Sequence, residues 1–348
     1  MITAEGMYRV LFGLAVIATV GYIGNKIIAK IDTKEQDEYD LIKKYLLNDS
    51  PLYGYNKPKL WIHTKYEVNA RKWESFNSRN SSDLNQDYIH LTIQSIINYC
   101  GNDFHICLID DETFSKLIPI WDIDLPNVAE PIKSHLRELG LAQLVYYYGG
   151  MVVPNSFLCS QNLLGLYSDG ISGMLPFACE NVNRTQGFMD KQKSLFVPDA
   201  YFYGAPKNND TIKEYIKVLK DRCITTHFTS EYEFRGQTSN LFRGFILQQK
   251  MNIIGGELIG IKNDKRKPIL IDDLLDEGFL TLNPNCYGIY IPDKDILSRT
   301  KYQWFAAMNA DQVLDSNTII SKYMRASMVD FSTEYAKKSN DIKSIISI

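Results

Sequence analysis

Apolar and polar residues change rhythm several times along this chain. Val10 to Ile23 reads VLFGLAVIATVGYI, 14 residues without a charge. As a helix it would span about 21 Å at 1.5 Å per residue, short of the roughly 30 Å hydrocarbon core of a bilayer. Arg9 and Lys26 flank the run and can snorkel, and Ile27, Ile28 and Ile31 continue its apolar character. Three readings compete: an uncleaved membrane anchor, a cleavable signal peptide, and a buried core helix. A signal peptide wants a small-x-small site after the run, and Ile23-Gly-Asn-Lys-Ile-Ile-Ala29 is a poor one. A core helix normally shows a polar face, and this run shows none. The expectation is a single-pass anchor over residues 1–31. Arg9 on one side against Lys26 and Lys30 on the other leaves its orientation unread.

Residues 32–56 read as a stalk. Asp32 to Asp49 is charge-rich, with Tyr39, Ile42, Leu46 and Leu47 as a partial helical stripe, and Ser50-Pro51 and Tyr53-Gly54-Tyr55 break it. One domain is expected over 57–330, followed by a tail at 331–348. Within it Lys59-Leu-Trp-Ile-His63 is a short apolar run after Pro58, a predicted strand. Asp87 to Tyr99 carries apolar residues at helical spacing and stops at Gly101. Phe104 to Ile109 then reads as a buried strand that ends in Asp110-Asp111-Glu112. Ile132 to Tyr148 is a second long helix closed by Gly149-Gly150, and Met151-Val-Val153 resumes a strand. This β-α-β-α-β order predicts an α/β fold with a mostly parallel sheet flanked by helices. Ligands of such sheets bind beyond the carboxyl ends of the strands, at a point where strand order reverses. That rule singles out Asp110 and Asp111 after one strand, and Pro154, Asn155 and Ser156 after another.

Composition narrows the classes without choosing among them. The 348 residues carry 22 Tyr, 16 Phe and 4 Trp, too aromatic for a disordered chain. Lys and Arg number 38 against 41 Asp and Glu, so the field expected of a nucleic-acid binder is missing. Six Cys without a CxxC pair make neither a disulfide framework nor a zinc site of the usual spacing. The five His are scattered, and neither a nucleophile elbow nor a phosphate loop occurs. Asn-x-Ser/Thr triplets at Asn80, Asn183 and Asn209 permit a lumenal domain and no more. Gly255-Gly256 within MNIIGGELIGI reads as a hairpin turn. Asp272, Asp273, Asp276 and Glu277 read as a solvated acidic helix start. The aromatic cluster of Tyr287, Tyr290, Tyr302, Trp304 and Phe305 reads as core, with sugar stacking as the alternative.

The stretch from Pro131 to Phe157 (PIKSHLRELGLAQLVYYYGGMVVPNSF) resembles the signature of glycosyltransferases with a DXD sugar-binding region. That group includes fungal Golgi mannosyltransferases and bacterial capsular-polysaccharide enzymes. Its pattern is a Ser-Asp and an Arg on a helix, then Gly-Gly, apolar residues and Asp-x-Asp. Trp61-Ile-His63, Trp73 and Ile109-Asp110-Asp111 sit upstream where such enzymes carry similar residues. Glu180-Asn181 and Asp199 to Lys207 look like the family's later sheet segments. The likeness spans roughly residues 58 to 220. It implies a Rossmann-like sheet of the GT-A type and transfer of a hexose from a nucleotide sugar to a glycan or protein acceptor, with the anomeric configuration retained. An anchor plus stalk is the layout of Golgi members, and degenerate relatives are encoded by some large DNA viruses, so an ER, Golgi or viral membrane is the implied location.

The resemblance fails at its chemical centre. In metal-dependent members the Asp-x-Asp carboxylates hold Mn2+ or Mg2+ against the nucleotide diphosphate, since hard oxygen ligands suit such a cation. Here those positions are Pro154, Asn155 and Ser156, and the helix Asp that helps hold the nucleotide is His135. Arg137, Gly149 and Gly150 are kept. The resemblance therefore leaves three explanations. Asp110 and Asp111 bind nucleotide, metal or sugar, with a helix-start cluster as their alternative role. Or cations such as Lys133, Arg137, Arg184 and Lys207 replace the metal. Or the domain no longer transfers sugar and serves a binding or structural role at a membrane. The candidate residues are Asp110 and Asp111 for catalysis, and Ser134, His135, Arg137, Gly150, Asn155 and Ser156 for the nucleotide sugar. The divalent cation itself has no assigned ligands.

Overall fold

The structure is a computed structural model and describes residues 57–64, 86–181, 196–225 and 231–328. The expected anchor, stalk and tail lie outside the described residues, as do Trp73, Asn80, Asn183 and Arg184. Among the described residues no helix is long and apolar enough to cross a membrane.

Six strands form one sheet. β1 (Lys59–His63) pairs in parallel with β2 (His105–Ile109) on one side and β3 (Gly150–Val152) on the other. The sheet continues through β6 (Pro198–Ala205), β5 (Phe177–Glu180) and β7 (Asn252–Ile254), in the order β2-β1-β3-β6-β5-β7. Only β6 opposes the rest, being antiparallel to both β3 and β5. The fold is therefore α/β with a mostly parallel sheet, as the alternation of elements predicts. Parallel neighbours need a crossover. The β1–β2 crossover contains α1 (Tyr88–Cys100), and the return to β3 runs through the short α2 (Thr113–Leu117) and α3 (Ile132–Tyr148). Because β2 and β3 lie on opposite sides of β1, strand order reverses between β1 and β3.

The strands are apolar almost throughout because both faces are covered. On one side α3, α5 (Asp210–Thr225) and α6 (Glu231–Leu247) pack Leu139, Leu144, Tyr215, Leu219 and Phe242 against Trp61, Val152 and Tyr203. Fully buried Trp61 also donates its indole N–H to the Gly149 carbonyl at 3.0 Å, tying β1 to the end of α3. Gly149 (φ +71°) ends that helix in a conformation that L side chains rarely adopt. At Gly150 (φ +94°) a Cβ would collide with the Lys59 carbonyl. This glycine lets β1 and β3 approach.

A second, smaller sheet lies beside the first. β4 (Phe157–Cys159) pairs antiparallel with β8 (Gly288–Tyr290), with Phe157 opposite Tyr290. Around it Tyr88, Leu158, Ile289, Phe305, Ile320 and Met324 form a second apolar cluster. Its helices include α7 (Ile271–Leu275), α8 (Asp293–Ser298) just after β8, α9 (Gln303–Ala306), α10 (Ala310–Asp315) and α11 (Ile319–Met328), while α4 (Leu164–Gly170) lies between β4 and β5 in the chain. Tyr290, Tyr302 and Phe305 are buried, as the core reading of that aromatic group requires, and Trp304 is partly exposed. Gly255-Gly256 does not make a hairpin: β7 is a parallel edge strand on β5, and the two glycines turn the chain away after it.

Candidate functional site

Five strands end at the same edge of the main sheet, and β6 begins there. His63, Ile109, Val152, Glu180 and Ile254 are the last residues of their strands, while Pro198 pairs with Glu180 at the start of β6. The reversal between β1 and β3 makes this edge the place where an open α/β sheet forms a crevice. Two charged clusters stand along it.

The first is built on β1, β2 and α3. Arg137 grips Asp111 with both arms of its fork, Nε to Oδ1 at 2.7 Å and Nη2 to Oδ2 at 2.6 Å. Its Nη1 reaches Glu130 at 3.1 Å, and His63 Nε2 lies 3.0 Å from Asp111 Oδ1. Burial would push the Asp111 carboxyl up, but the hydrogen bonds from Arg137 and His63 outweigh it and hold the group well below the usual carboxylate range. Burial, only partly opposed by Asp111, lowers His63, which favours the neutral ring. The imidazole stacks on Phe114, with centroids 5.8 Å apart and planes 10° from parallel. Bidentate pairs of this kind are strong and directional. Both Asp111 oxygens are thus occupied by the protein itself. Asp110 takes the other role open to it in the sequence: its Oδ1 accepts from the Thr113 amide at 2.9 Å and from the Thr113 hydroxyl at 2.5 Å, at the start of α2.

The remaining sequence candidates scatter. Ser134 donates its amide and hydroxyl to Glu130 Oε2 at 3.1 and 2.6 Å, beside the first cluster. His135 turns away from the edge, its Nε2 3.2 Å from the Leu219 carbonyl on α5. Gly150 opens β3, at the end of that strand remote from the crevice. Glu138, next to Arg137 on the same helix, also faces inward. Its Oε1 accepts from Tyr215 at 2.6 Å and Thr238 at 2.5 Å. Burial pushes the Glu138 carboxyl up to about 7 against those hydrogen bonds. Glu180 is engaged as well, by Lys262 at 2.5 Å and by the Gly256 amide.

The three positions that should carry the DXD carboxylates follow β3 at the crevice, and two of them bond to the protein itself. The Asn155 carbonyl accepts from Thr92 Oγ1 at 2.5 Å, binding the loop to α1. Ser156, 1% exposed, donates to the Ile291 carbonyl at 2.9 Å. Its hydroxyl also lies 3.4 Å from Asp293 Oδ1. Among the described residues no group of three or more His, Cys, Asp or Glu is placed to hold a metal ion. With both Asp111 oxygens bonded and no carboxylate at 154–156, these residues do not fit the divalent cation of metal-dependent relatives.

Through Asp293 the crevice meets the second cluster, which no sequence motif signalled. Arg235 of α6 reaches Asp199 at the start of β6, 3.6 Å away, and lies 4.6 Å from the centre of the Tyr201 ring. Lys294 stands over the same ring at 5.7 Å. Burial would lower Arg235, but Asp199 and its neighbours outweigh it and raise the group further, so it is a permanent cation. Arg235, Tyr290, Asp293, Lys294, Asp295 and Asn181 surround a cavity of about 20 Å³. The signal that could have found the second cluster was Asp293-Lys294-Asp295, carboxylates just after a strand. The same criterion selected Asp110 and Asp111.

Comparison with protein families, with curated proteins and with solved structures finds no match.

Proposed function

We propose that this chain is a membrane-anchored, GT-A-type glycosyltransferase-like protein whose carboxyl-edge crevice takes a nucleotide sugar without a divalent cation. One observation carries the reading: residues 154–156, where the resemblance expects the sugar-nucleotide contacts, flank the strand reversal and adjoin a charged cavity through Ser156 and Asp293. In hexose transfer the bond from the anomeric carbon to phosphate breaks, a bond to the acceptor hydroxyl oxygen forms, and the hydroxyl proton departs. The Asp111–Arg137 pair holds β2 and α3 in register beneath that crevice, so its part is positioning. The acceptor is a glycan or a protein.

A second reading, a non-catalytic binding protein at a membrane, has its own support in the self-satisfied carboxylates of Asp110 and Asp111. The full chain in detergent, titrated calorimetrically with UDP-glucose and GDP-mannose in EDTA and again with Mn2+, tests both. Binding with turnover to free or transferred hexose supports transfer. Binding without turnover supports the second reading, and no binding in either condition overturns both. The anchor is tested by carbonate extraction: the chain stays with the membrane pellet, and release into the supernatant would remove the anchor.

A further inference from the structure

All six cysteines are free thiols, and two of them meet. Cys100 is the last residue of α1 and Cys159 the last of β4, 59 positions further on. Both are fully buried, and their sulfurs stand 3.9 Å apart. The elements that carry them are already fastened to each other. The Cys159 amide donates to Ser95 Oγ of α1 at 2.9 Å, and Thr92, one turn earlier on that helix, donates to the Asn155 carbonyl. The two sulfurs continue this seam from the helix to residues 155–159. A disulfide needs its sulfurs about 2.05 Å apart. Each sulfur has to move by roughly 1 Å to close the gap, which side-chain rotation supplies without displacing helix or strand. Closure gives up the weak thiol bond from Cys159 to the Gln161 carbonyl, at 3.0 Å.

The other four thiols are differently placed. Cys107 donates to the His105 carbonyl at 3.7 Å and Cys286 to the Gly288 carbonyl at 2.9 Å, each within its own stretch of chain. Cys179 is buried in β5, and Cys223 is exposed on α5.

We propose that Cys100 and Cys159 are a cross-linking site, closed by a small disulfide oxidant of the glutathione type into one bond that fastens β4 to α1. The Cys100 thiolate attacks a sulfur of oxidised glutathione and releases the first glutathione thiol. The Cys159 thiolate then attacks the Cys100 sulfur of that mixed disulfide and releases the second. Two S–H bonds give way to one S–S bond, and the two protons and two electrons leave on two molecules of glutathione. The order follows from acidity: the hydrogen bond with Cys159 lowers the Cys100 thiol against the effect of burial, whereas burial pushes Cys159 well above its ordinary value. Because both sulfurs are buried, exchange takes place while β4 is undocked. The bond closes in an oxidising compartment and stays open in a reducing one.

The test equilibrates the full chain in detergent, with protein disulfide isomerase to catalyse exchange, in an excess of either oxidised or reduced glutathione. Melting temperatures are recorded, free thiols are alkylated in denaturant, and the digested chain is mapped by mass spectrometry. A peptide pair joined at Cys100 and Cys159 is expected in the oxidised sample and not in the reduced one, with Cys107, Cys179 and Cys286 alkylated in both. The oxidised protein melts higher by about 3 °C or more. In Cys100→Ser, Cys159 is alkylated in both buffers and the two melting temperatures agree to within about 1 °C. Alkylation of Cys100 and Cys159 in the oxidised wild type overturns the proposal, as does a bond from either of them to another cysteine. A bond between the two that leaves the melting temperature unchanged or lowers it shows that closure pulls β4 out of place, and overturns the fastening. All of these outcomes leave the sugar-nucleotide reading standing.

Discussion

The Asp111–Arg137 cluster and the Asp293–Arg235 cluster stand at the same sheet edge and differ in how closely their charges meet. In the first, a bidentate pair, a second carboxylate and a histidine meet at 2.6–3.1 Å. In the second, the ion pair from Arg235 to Asp199 is longer, at 3.6 Å, and the groups enclose a cavity. A bidentate grip fixes direction as well as distance, whereas a single longer contact fixes distance alone. Carboxylates after a strand are therefore not equivalent signals. What marks Asp111 is its partner: a guanidinium from the next helix takes both of its oxygens.

Three measurements can break or sharpen that contrast. Arg137→Met is the most damaging, because it leaves Asp111 buried without its main partner. A loss of about 3 kcal/mol is expected from chemical denaturation, and the Arg137→Met/Asp111→Asn pair should recover part of it. A loss under about 1 kcal/mol would mean that the first cluster is not structural. Glu138→Gln acts in the opposite direction and with pH. The folded carboxyl titrates near 7 against an ordinary value of 4.5, so wild-type stability falls as pH rises from about 4.5 to 7 and stays low above it. The glutamine variant should be more stable by about 3 kcal/mol at pH 8 and by under about 1 kcal/mol at pH 5. Equal gains at both pH values would show that the carboxyl titrates normally in the fold. The smallest effect belongs to the second cluster: Lys294→Met should shift stability by no more than about 0.5 kcal/mol, since Lys294 is only half-buried. A larger loss would make that cluster structural too.

Much of the main sheet was legible. The strand Lys59–His63 and the helix Ile132–Tyr148 have the same bounds in sequence and structure, because continuous apolar runs meet Pro58 and Gly149 as hard stops. Arg137 was marked as a kept position of the Pro131–Phe157 pattern, and its partner is one of the two acids already singled out. His135 and Gly150 were picked by their place in a motif, and their side of the helix and end of the strand decide against a place at the crevice. Asp110 shows the limit of reading carboxylates alone: the same residue serves a ligand or a helix start, and only the Thr113 contacts choose between them. The hairpin expected at Gly255-Gly256 fails because a three-residue edge strand has no periodicity to declare its direction. The second cluster was missed because the run before Asp293-Lys294-Asp295 reads as aromatic core and not as a strand. Ser156 meets Asp293 across 137 positions of chain, and no local pattern encodes such a contact.

The pairing of β4 with β8 sets an order of events during synthesis. The six-stranded sheet is complete in the chain once Ile254 has been made, but β4 has no partner until Gly288–Tyr290 follow, about 34 residues later. At roughly 5–20 residues per second the nascent domain waits about 2–7 s with the sheet fully encoded and one wall of its crevice still unmade. During that interval Ser156 lacks both Ile291 and Asp293, and the loop at 154–156 is held to the rest by α1 alone among the contacts described above. The contacts of Ser156 are thus completed only after the main sheet is encoded, and the crevice trails the sheet that carries it.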